Sequence, residues 1–275
     1  MSDFSRYMIV TDLDGTFLSR ASQTVERNLA ALERFRAGGG LFTIASGRVH
    51  LNIRTALDPE QLLTVPAVLC NGGYLYDFKT CTPINEQVMP REDVEDIVRF
   101  LKSRYPDIVF RVSTRDSLRI EAARGLLLHD IPKYDAGAVK IAPLDTWPLD
   151  DWYKITFREE REVLNDLRAA FVSHFGDRFA VMDSGARVFE AQMPGCSKAA
   201  GLEQLRRLAG IDRELCVIAC GDFENDMPML RAADYAVAPA NAHPDVKATV
   251  DFVMCDCDEG LIADVVEAIE AGRFF

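Results

Sequence analysis

Positive charge is in short supply in this sequence: 31 lysines and arginines stand against 43 aspartates and glutamates, for a formal net charge of −12. Binding to a nucleic-acid backbone needs clustered basic side chains, so this balance argues against a nucleic-acid partner. Long apolar runs are missing too, because none approaches the roughly 20 residues of a membrane span. The N-terminus also lacks the apolar region of a signal peptide. We therefore expect neither a nucleic-acid nor a membrane partner.

Cysteine and histidine show none of the spacings that bind zinc. The seven cysteines are odd in number, and the four histidines form no His-Glu-x-x-His pair. We expect the cysteines to be reduced thiols of a cytoplasmic protein, because disulfides persist in oxidising compartments. His50 alone lies close to a motif described below, and we interpret it as a surface or packing residue.

The chain is organised around residues 7–16, which read Tyr-Met-Ile-Val-Thr-Asp-Leu-Asp-Gly-Thr. The apolar run predicts a buried parallel strand that stops at two carboxylates, Asp12 and Asp14. Side chains two residues apart project from the same face of a strand. Both carboxylates should therefore point into one space at the C-terminal tip of the strand, where open α/β sheets bind ligands. They repel each other unless a cation lies between them or one of them holds a proton.

An ordinary alternative for this motif stays open, a solvated Asp-Gly turn that closes a strand. A calcium loop is excluded, because its sixth position from Asp12 needs Gly and holds Phe17, and its twelfth needs Glu and holds Gln23. The triple glycine at 38–40 resembles a phosphate cradle but precedes a strand, so we interpret it as the end of a helix.

Alternating strands and helices on either side of a middle region predict a doubly wound parallel sheet with right-handed crossovers. The predicted elements before that region are helix 25–37 and buried strands 41–45 and 65–70. Those after it are helix 198–209 with Ser197 as its cap, strand 215–220, helix 227–233, short strands 236–237 and 252–253, and an amphipathic helix 261–271.

The middle region has a different texture, in which helical segments alternate with more polar strands. The predicted helices are 91–104 and 161–174, and the predicted strands are 109–112, 118–122 and 153–157. This alternation indicates an α+β unit with one solvated sheet face. We therefore expect an α/β protein with a Rossmann-like catalytic core formed by residues 1–82 and 190–275, and an inserted α+β cap domain at 83–189.

Polar residues of catalytic types follow three separate buried strands: Asp12 with Asp14, then Ser46, then Asp222. Lys198 begins a helix, and a helix N-terminus offers free N–H groups and a positive dipole to an anion such as phosphate. Each residue alone has an ordinary alternative, as a turn, a solvated lysine or a strand-end cap. The C-terminal tips of parallel strands lie together, so these side chains should converge.

Four segments resemble the four motifs of the haloacid dehalogenase superfamily: residues 12–16, residues 46–48 (Ser-Gly-Arg), Lys198, and residues 221–226 (Gly-Asp-Phe-Glu-Asn-Asp). The arrangement is most similar to the Cof-type phosphatases, which carry a large cap domain between motifs II and III. Further matches are Asn71-Gly72, Asn241-Ala242, Val246-Lys247 and Glu259-Gly260. The resemblance covers the core, and its departures are Phe17 where Leu is usual and Gly73 where Ala is common.

The resemblance implies Mg²⁺ as cofactor and an aspartyl-phosphate intermediate. Asp12 is then the nucleophile and Asp14 the general acid and base. The implied metal ligands are Asp12, the backbone carbonyl of Asp14, and Asp222. The residues implied to bind phosphate are Ser46, Lys198 and Asn225, and the implied supporting residues are Thr16, Gly47, Arg48 and Asp226.

The activity implied by the resemblance is Mg²⁺-dependent hydrolysis of small organic phosphate monoesters, such as sugar phosphates, so the expected partner is a small phosphorylated metabolite. A phosphosugar mutase or phosphotransferase using the same aspartate is an alternative. A non-catalytic module that binds phosphorylated metabolites is a remote one. No feature of the sequence specifies an oligomeric state.

The resemblance also implies that the inserted domain closes over the site and selects a small, polar, anionic substrate. The core carries 24 acidic and 15 basic side chains, a net charge of −9, whereas the insert carries 19 and 16, a net charge of −3. We therefore expect the positive side chains that contact the rest of the substrate to lie in the insert. The candidates are Arg111, Arg115, Arg119, Lys154 and Arg187.

Overall fold

The computed structural model describes residues 2–121, 131, 136–184, 187–208 and 215–274. The chain forms two compact units, which we call the core and the insert. The core comprises Met1–Asn85 and Ser197–Phe275, and the insert is Glu86–Cys196.

The elements alternate along the chain in the order expected for an α/β core interrupted by an α+β segment. The strands are β1 (Tyr7–Thr11), β2 (Leu41–Ile44), β3 (Ala67–Leu69), β4 (Tyr74–Asp77), β5 (Thr82–Ile84), β6 (Phe110–Thr114), β7 (Leu118–Ile120), β8 (Val139–Ile141), β9 (Trp152–Arg158), β10 (Ala180–Asp183), β11 (Val188–Gln192), β12 (Cys216–Cys220), β13 (Tyr235–Pro239) and β14 (Phe252–Met254). The helices are α1 (Glu26–Ala37), α2 (Pro59–Leu62), α3 (Arg91–Arg104), α4 (Arg161–Phe175), α5 (Lys198–Leu208), α6 (Met227–Ala232), α7 (Pro244–Lys247) and α8 (Leu261–Glu270).

The main sheet of the core has the strand order β14-β13-β12-β1-β2, and each neighbouring pair is parallel. Met8 and Val10 of the central strand pack into one cluster with Leu202 of α5 and Leu230 of α6. Ile9 projects to the opposite face, and α1 and α8 pack against each other. Apolar residues on both faces of β1 are therefore buried, as a parallel sheet between two helical layers requires. The predicted doubly wound sheet is confirmed.

The third predicted strand behaves differently from the first two. It was expected as a buried parallel strand, and an isolated parallel bridge from Ala45 to Val68 does join β3 to the end of β2. Its ladder partner, however, is β4, which lies antiparallel to it and pairs in turn with β5. Only four residues separate β3 from β4, and so short a connection allows antiparallel pairing alone.

The limits of the two units follow from strand pairing. Because β5 pairs with β4, residues 82–84 belong to the core, and because β11 pairs with β9, residues 188–192 belong to the insert. The chain therefore passes from the core to the insert between residues 85 and 86, and returns to the core between residues 196 and 197. The sequence pattern predicts the insert at residues 83–189.

The insert is an α+β unit with the strand order β10-β11-β9-β6-β7-β8, antiparallel except for the pair β7–β8. Phe110, Ile155 and Phe189 lie on one face of this sheet and pack with Ile97 of α3 and Phe171 of α4. Helix α3 has the bounds that the sequence predicts, and α4 extends one residue further. The predicted fold class, a Rossmann-like core with an inserted α+β domain, is confirmed.

The prediction that the other face of the insert sheet is solvated is wrong. That face carries polar side chains, and they are buried: Ser113, Lys154, Thr156, Glu190 and Gln192. Lys154 Nζ lies 2.7 Å from the Glu190 carboxylate, to which the Thr156 hydroxyl donates at 3.1 Å. A strand that alternates apolar and polar side chains has a solvated polar face when its charged side chains have no partners in the protein. Here Lys154 and Glu190 pair with each other, and this pairing makes their burial tolerable.

Candidate active site

The predicted site residues lie at the C-terminal edge of the main sheet. The backbone N–H of Asp12 donates to the Cys220 carbonyl at 2.8 Å, so Asp12 continues β1 beside the end of β12. The N–H of Ala45 donates to the Thr11 carbonyl at 2.8 Å, which brings Ser46 to the same edge on the other side of β1. Two buried neighbouring strands thus end beside the strand that carries the nucleophile candidate.

Lys198 is the buried cation around which the carboxylates gather. Its ammonium group donates to Asp12 and, at 2.6 Å, to Asp226 Oδ1. Burial alone would lower the pKa of Lys198, but the charges of Asp12 and Asp226 raise it above its ordinary value. Burial raises the pKa of Asp12 well above its ordinary value even though Lys198 opposes that shift. Two carboxylates next to one ammonium leave the site with surplus negative charge.

Asp226 uses both oxygens to organise the loop after β12. While Oδ1 accepts from Lys198, Oδ2 accepts from the backbone N–H groups of Asp222 and Phe223 at 3.0 and 3.1 Å. The side chain is fully buried. Asp226 therefore supports the site by holding Lys198 and the backbone that presents Asp222.

Asp222 reaches toward the motif at the end of β1. Its Oδ1 accepts from the Thr16 hydroxyl at 3.1 Å, and its backbone carbonyl accepts from the N–H of His243 at 2.9 Å. Burial, and then the charge of Asp226, raise the pKa of Asp222 to about 6. A carboxylate with a raised pKa next to other carboxylates is one that a cation would stabilise in its charged form.

The donor set fits Mg²⁺ by its chemistry. Carboxylate oxygens of Asp12, Asp222 and Asp226 lie within 4.8 Å of one another, and hard oxygen ligands are those that Mg²⁺ prefers. Asp226 is committed to Lys198 and to two backbone N–H groups, which leaves Asp12 and Asp222 as the carboxylates able to hold the ion. Both belong to the set that the motifs imply.

A second acidic group in the core, Asp256-Cys257-Asp258, has a different character. The Arg20 guanidinium pairs with both carboxylates, at 2.6 Å to Asp256 and in a shorter contact to Asp258. An arginine already supplies the cation at this group, so it does not resemble the metal candidate.

Asp14 and Arg48 form an ion pair beside the buried cluster. Arg48 Nε donates to Asp14 Oδ2 at 2.8 Å and Nη2 donates to Oδ1 at 2.5 Å, a two-pronged contact. Arg48 also donates to the Asn52 carbonyl at 3.2 Å. The Asp14 side chain is half exposed, so the two aspartates of the first motif, expected to share one space, differ in environment: Asp12 is buried and Asp14 is accessible.

Ser46 and Asn225 occupy the loops on either side of the buried cluster. The Ser46 hydroxyl is buried and accepts from the backbone N–H of Arg48 at 3.2 Å. Asn225 Nδ2 donates to Asn71 Oδ1 at 3.5 Å. A Cβ added at Gly47 would come within 3.0 Å of the same Asn71 oxygen. Asn71 thus lies where the second and fourth motifs meet.

Two asparagines for which the sequence predicts no role take part in this arrangement. Asn241 Nδ2 donates to the Gly15 carbonyl at 2.8 Å, and its Oδ1 accepts from the N–H of Cys257 at 2.9 Å, which anchors the loop of the first motif. In the sequence, both asparagines stand only in segments that match the family, Asn71-Gly72 and Asn241-Ala242. The signal that could have found Asn71 is an Asn-Gly pair directly after a buried strand, because that pair favours a left-handed turn.

The basic candidates of the insert all have polar or acidic partners. Lys154 pairs with Glu190, and Arg111 donates to the Thr156 hydroxyl at 3.5 Å on the same face of the sheet. The other three pair as follows: Arg115 with Glu86, Arg119 with Asp116 and Asp151, and Arg187 with Glu160. Of the five candidates, Lys154 and Arg111 are the two placed on the buried polar face.

The family model for haloacid dehalogenase-like hydrolases matches residues 9–266 of this chain. The chain therefore belongs to the haloacid dehalogenase-like hydrolases, as its four motifs and its core with an insert predict.

Relatives narrow the class of enzyme further. The chain is 26% identical to 5-amino-6-(5-phospho-D-ribitylamino)uracil phosphatase YbjI of Escherichia coli, over 95% of each chain. It is 27% identical to pyridoxal phosphate phosphatase YbhA of the same organism, over 94% of this chain and 97% of that one. A haloacid dehalogenase-like hydrolase from Bacteroides thetaiotaomicron has the same fold, with a TM-score of 0.84 at 24% identity over 96% of this chain and 99% of that one. The predicted enzyme class, a phosphatase of this superfamily, is confirmed.

Two further findings bear on the partners and on the thiols. In the part of the chain that the structure describes, no helix has the length and apolar character needed to cross a membrane. All seven cysteines are free, and four of them are buried: Cys70, Cys196, Cys220 and Cys257.

Proposed function

We propose that this phosphatase is Mg²⁺-dependent and hydrolyses small organic phosphate monoesters through an aspartyl-phosphate on Asp12. The observation that carries the proposal is the contact of buried Lys198 with Asp12 and Asp226, beside Asp222. A phosphate dianion approaches an anionic nucleophile only where positive charge offsets the repulsion. Lys198 supplies part of that charge, and the surplus of carboxylates calls for a cation to supply the rest.

The reaction needs two proton transfers and two in-line attacks. A carboxylate oxygen of Asp12 attacks phosphorus as the ester P–O bond breaks, and Asp14, protonated and released from its pair with Arg48, gives its proton to the departing oxygen. Asp14 then takes a proton from water while the water oxygen attacks the phosphorus of the aspartyl-phosphate. Inorganic phosphate leaves and the Asp12 carboxylate is restored. The accessibility of Asp14 suits contact with both the leaving group and water.

The metal would be held by Asp12, Asp222 and the backbone carbonyl of Asp14. When bound, Mg²⁺ offsets phosphoryl charge and helps to orient the group for in-line attack. Asp226 keeps Lys198 and the backbone at Asp222 in place, and Thr16 keeps the Asp222 carboxylate turned toward the first motif.

Phosphate oxygens would be bound by Ser46, Lys198 and Asn225. Gly47 keeps the second-motif loop free of a side chain where it approaches Asn71, and Arg48 is held near the site by Asp14. Lys198 is the first residue of α5, so the positive end of the helix dipole adds to the positive charge of this residue.

The insert is proposed to select the organic part of a small phosphorylated metabolite. YbjI and YbhA are named for different phosphates, a ribitylaminouracil phosphate and pyridoxal phosphate, which is consistent with one reaction serving varied substrates. The candidates for contact with a polar, anionic substrate remain the five basic side chains of the insert, Arg111, Arg115, Arg119, Lys154 and Arg187. The free thiols support a cytoplasmic setting.

A panel of sugar, nucleotide-precursor and cofactor phosphates, assayed for released inorganic phosphate with Mg²⁺, tests this function. Activity should vanish in excess chelator, return with Mg²⁺ and return poorly with Ca²⁺, which favours more ligands and looser geometry. Full activity in excess EDTA overturns the metal requirement. Transfer of phosphate to an organic acceptor, without release, would instead identify a mutase or phosphotransferase.

A further inference from the structure

The three residues after β3 form an unusual turn. Cys70, Asn71 and Gly72 all have positive φ, at 53°, 52° and 84°. This region of backbone conformation is unfavourable for residues that carry a Cβ, and Cys70 and Asn71 are both buried. Consecutive left-handed residues persist only where the surrounding structure holds them, and such places concentrate at functional sites.

Backbone hydrogen bonds tie this turn to the Ser46–Gly47–Arg48 loop. The N–H of Ser46 donates to the Val68 carbonyl at 2.8 Å, that of Cys70 to the Arg48 carbonyl at 2.9 Å, and that of Asn71 to the Ser46 carbonyl at 3.0 Å. The contact between β2 and β3 thus continues past the ends of both strands. The left-handed turn therefore sets the path of the loop proposed to bind phosphate.

The Asn71 amide lies between that loop and the fourth motif. Its Oδ1 accepts from Asn225 Nδ2 and would lie 3.0 Å from a Cβ at Gly47. On the opposite side, a Cβ at Gly72 would come within 2.0 Å of the carbonyl of Ser197, the residue that caps α5. One turn thus contacts the second motif, the fourth motif and the start of the helix that begins with the third.

We propose that Asn71 is a positioning residue that holds Asn225 and the Ser46–Gly47–Arg48 loop at the spacing a phosphate group requires. Asn71 acts through these neighbours and does not itself contact the reacting atoms. The inference rests on the proposed function, because it assumes that the loop and Asn225 bind phosphate.

The test measures binding of inorganic phosphate to the Mg²⁺-loaded full-length protein by calorimetry. Asn71→Gly keeps a backbone that tolerates positive φ and removes the amide. We expect the Kd for phosphate to rise roughly tenfold to a hundredfold, the range for losing a group that orients a ligand, with the unfolding temperature nearly unchanged. An unchanged Kd in folded Asn71→Gly overturns the inference.

A double-mutant cycle separates positioning from a merely structural role. Asn225→Ala should also weaken phosphate binding, and the double variant should lose less affinity than the sum of the two single losses, because part of each loss comes from the same Asn71–Asn225 contact. Full additivity of the two effects overturns the inference.

Gly47→Ala gives an independent test that keeps Asn71 in place. The new Cβ should push the Asn71 amide aside and weaken phosphate binding in the wild-type background, yet cause no further loss in the Asn71→Gly background. If Asn71→Gly does not fold, Gly47→Ala alone carries the test, and unchanged phosphate affinity overturns the inference.

Turnover of phosphate esters is measured on the same variants. If the wild-type protein binds phosphate but hydrolyses no ester, the proposed function fails while the binding cycle still decides the role of Asn71. A wild-type protein that binds no phosphate in Mg²⁺ overturns the inference directly.

Discussion

At the scale of single residues, the proposed chemistry depends on one lysine among aspartates. Buried Lys198 contacts Asp12 and Asp226, and Asp222 lies close to both carboxylates. Burial raises the pKa values of Asp12 and Asp222, and neighbouring carboxylates add to that shift while the charge of Lys198 opposes it. A cation bound beside these carboxylates would favour their charged forms.

The two aspartates of the first motif should fail differently when changed to asparagine. Asp12→Asn removes the nucleophile and a metal ligand together, so kcat should fall by several orders of magnitude. Asp14→Asn keeps the nucleophile and loses proton transfer, so it should still form phospho-enzyme slowly from an ester with a good leaving group. Steady-state rates and trapping of labelled phospho-enzyme measure the difference, with exposed Asp245→Asn as the control. Substantial turnover by Asp12→Asn would rule out the proposed mechanism.

Asp222→Asn should stabilise the metal-free protein while abolishing its response to Mg²⁺. Burial and the charge of Asp226 raise the pKa of Asp222 to about 6. A carboxyl whose pKa is raised on folding favours the folded state at low pH, and this contribution is lost as the pH rises through about 6. At neutral pH the substitution should therefore raise the free energy of unfolding by about 1–3 kcal/mol.

Denaturant titrations with and without Mg²⁺ check this expectation, with Asp245→Asn as the charge-matched control. In the wild-type protein Mg²⁺ should raise the unfolding midpoint and bind more weakly below about pH 6, because protons compete for the ligands. An Mg²⁺-induced shift that persists in Asp222→Asn would contradict the assignment of this ligand.

At the scale of elements, close packing of α5 against its neighbours fixes the position of Lys198. A Cβ added at Gly201 would come within 2.3 Å of Val68 Cγ1 and 3.2 Å of Gly72 Cα. The helix lies this close to β3 and the left-handed turn because position 201 has no side chain. Lys198, one turn earlier, is positioned by the same contact.

Gly201→Ala should therefore reverse the usual helix rule. Alanine in a helix interior normally stabilises by about 1 kcal/mol relative to glycine. Here we expect a loss of about 1–3 kcal/mol from overpacking, together with lower kcat as Lys198 shifts. Chemical denaturation and phosphatase assays measure both effects, and exposed Glu203→Ala on the same helix is the control. A more stable Gly201→Ala would show that the helix is free to move.

In the insert, strands β9 and β11 are joined across a buried ion pair. Although burial opposes it, the charge of Lys154 holds the pKa of Glu190 below its ordinary value. A carboxyl with a lowered pKa contributes stability that is present above its unfolded pKa and lost as the pH falls through its folded pKa. The pair thus makes the insert sensitive to acid.

Glu190→Gln should destabilise the protein at neutral pH by about 3–5 kcal/mol, because it removes the buried carboxylate that pairs with Lys154. The double variant Lys154→Met with Glu190→Leu should be close to wild type in stability and should lose part of the acid sensitivity. Thermal and denaturant unfolding as a function of pH provide the measurement. A Glu190→Gln variant within about 0.5 kcal/mol of wild type would mean that the ion pair contributes little.

At the scale of the whole molecule, the core and the insert each have an apolar core of their own, formed by α5 and α6 on the main sheet and by α3 and α4 on the insert sheet. Every residue proposed for the chemistry belongs to the core. The insert contributes candidates for specificity alone. We therefore expect that catalysis can be separated from substrate selection by removing the insert.

Replacing Glu86–Cys196 with a short Gly/Ser linker should separate them in practice. The shortened protein should still hydrolyse a small generic ester weakly, because Asp12, Asp14, Lys198 and Asp222 remain. It should lose its preference among natural phosphates, which kcat/KM values over the substrate panel would reveal. Circular dichroism serves as the folding control. A preference that survives removal of the insert would place specificity in the core.

The order of motifs along the chain determined the fold class and the identities of the residues at the sheet edge. Apolar runs such as Met8–Val10 are local signals, and a run followed at once by Asp12 or Ser46 predicts both a buried strand and what stands at its tip. The same local signals predict where α3 and α4 lie, within a residue at each end.

Tertiary structure alone decided which side chains meet. Three contacts of the site join residues that lie 28 to 154 positions apart in the chain. They are Arg48 with Asp14, Asp226 with Lys198, and Asn71 with Asn225. Local sequence patterns also did not predict the antiparallel pairing of β3 or the burial of Lys154 with Glu190. Local periodicity records whether a side chain is polar, and burial depends in addition on the partners that the folded chain brings within hydrogen-bonding distance.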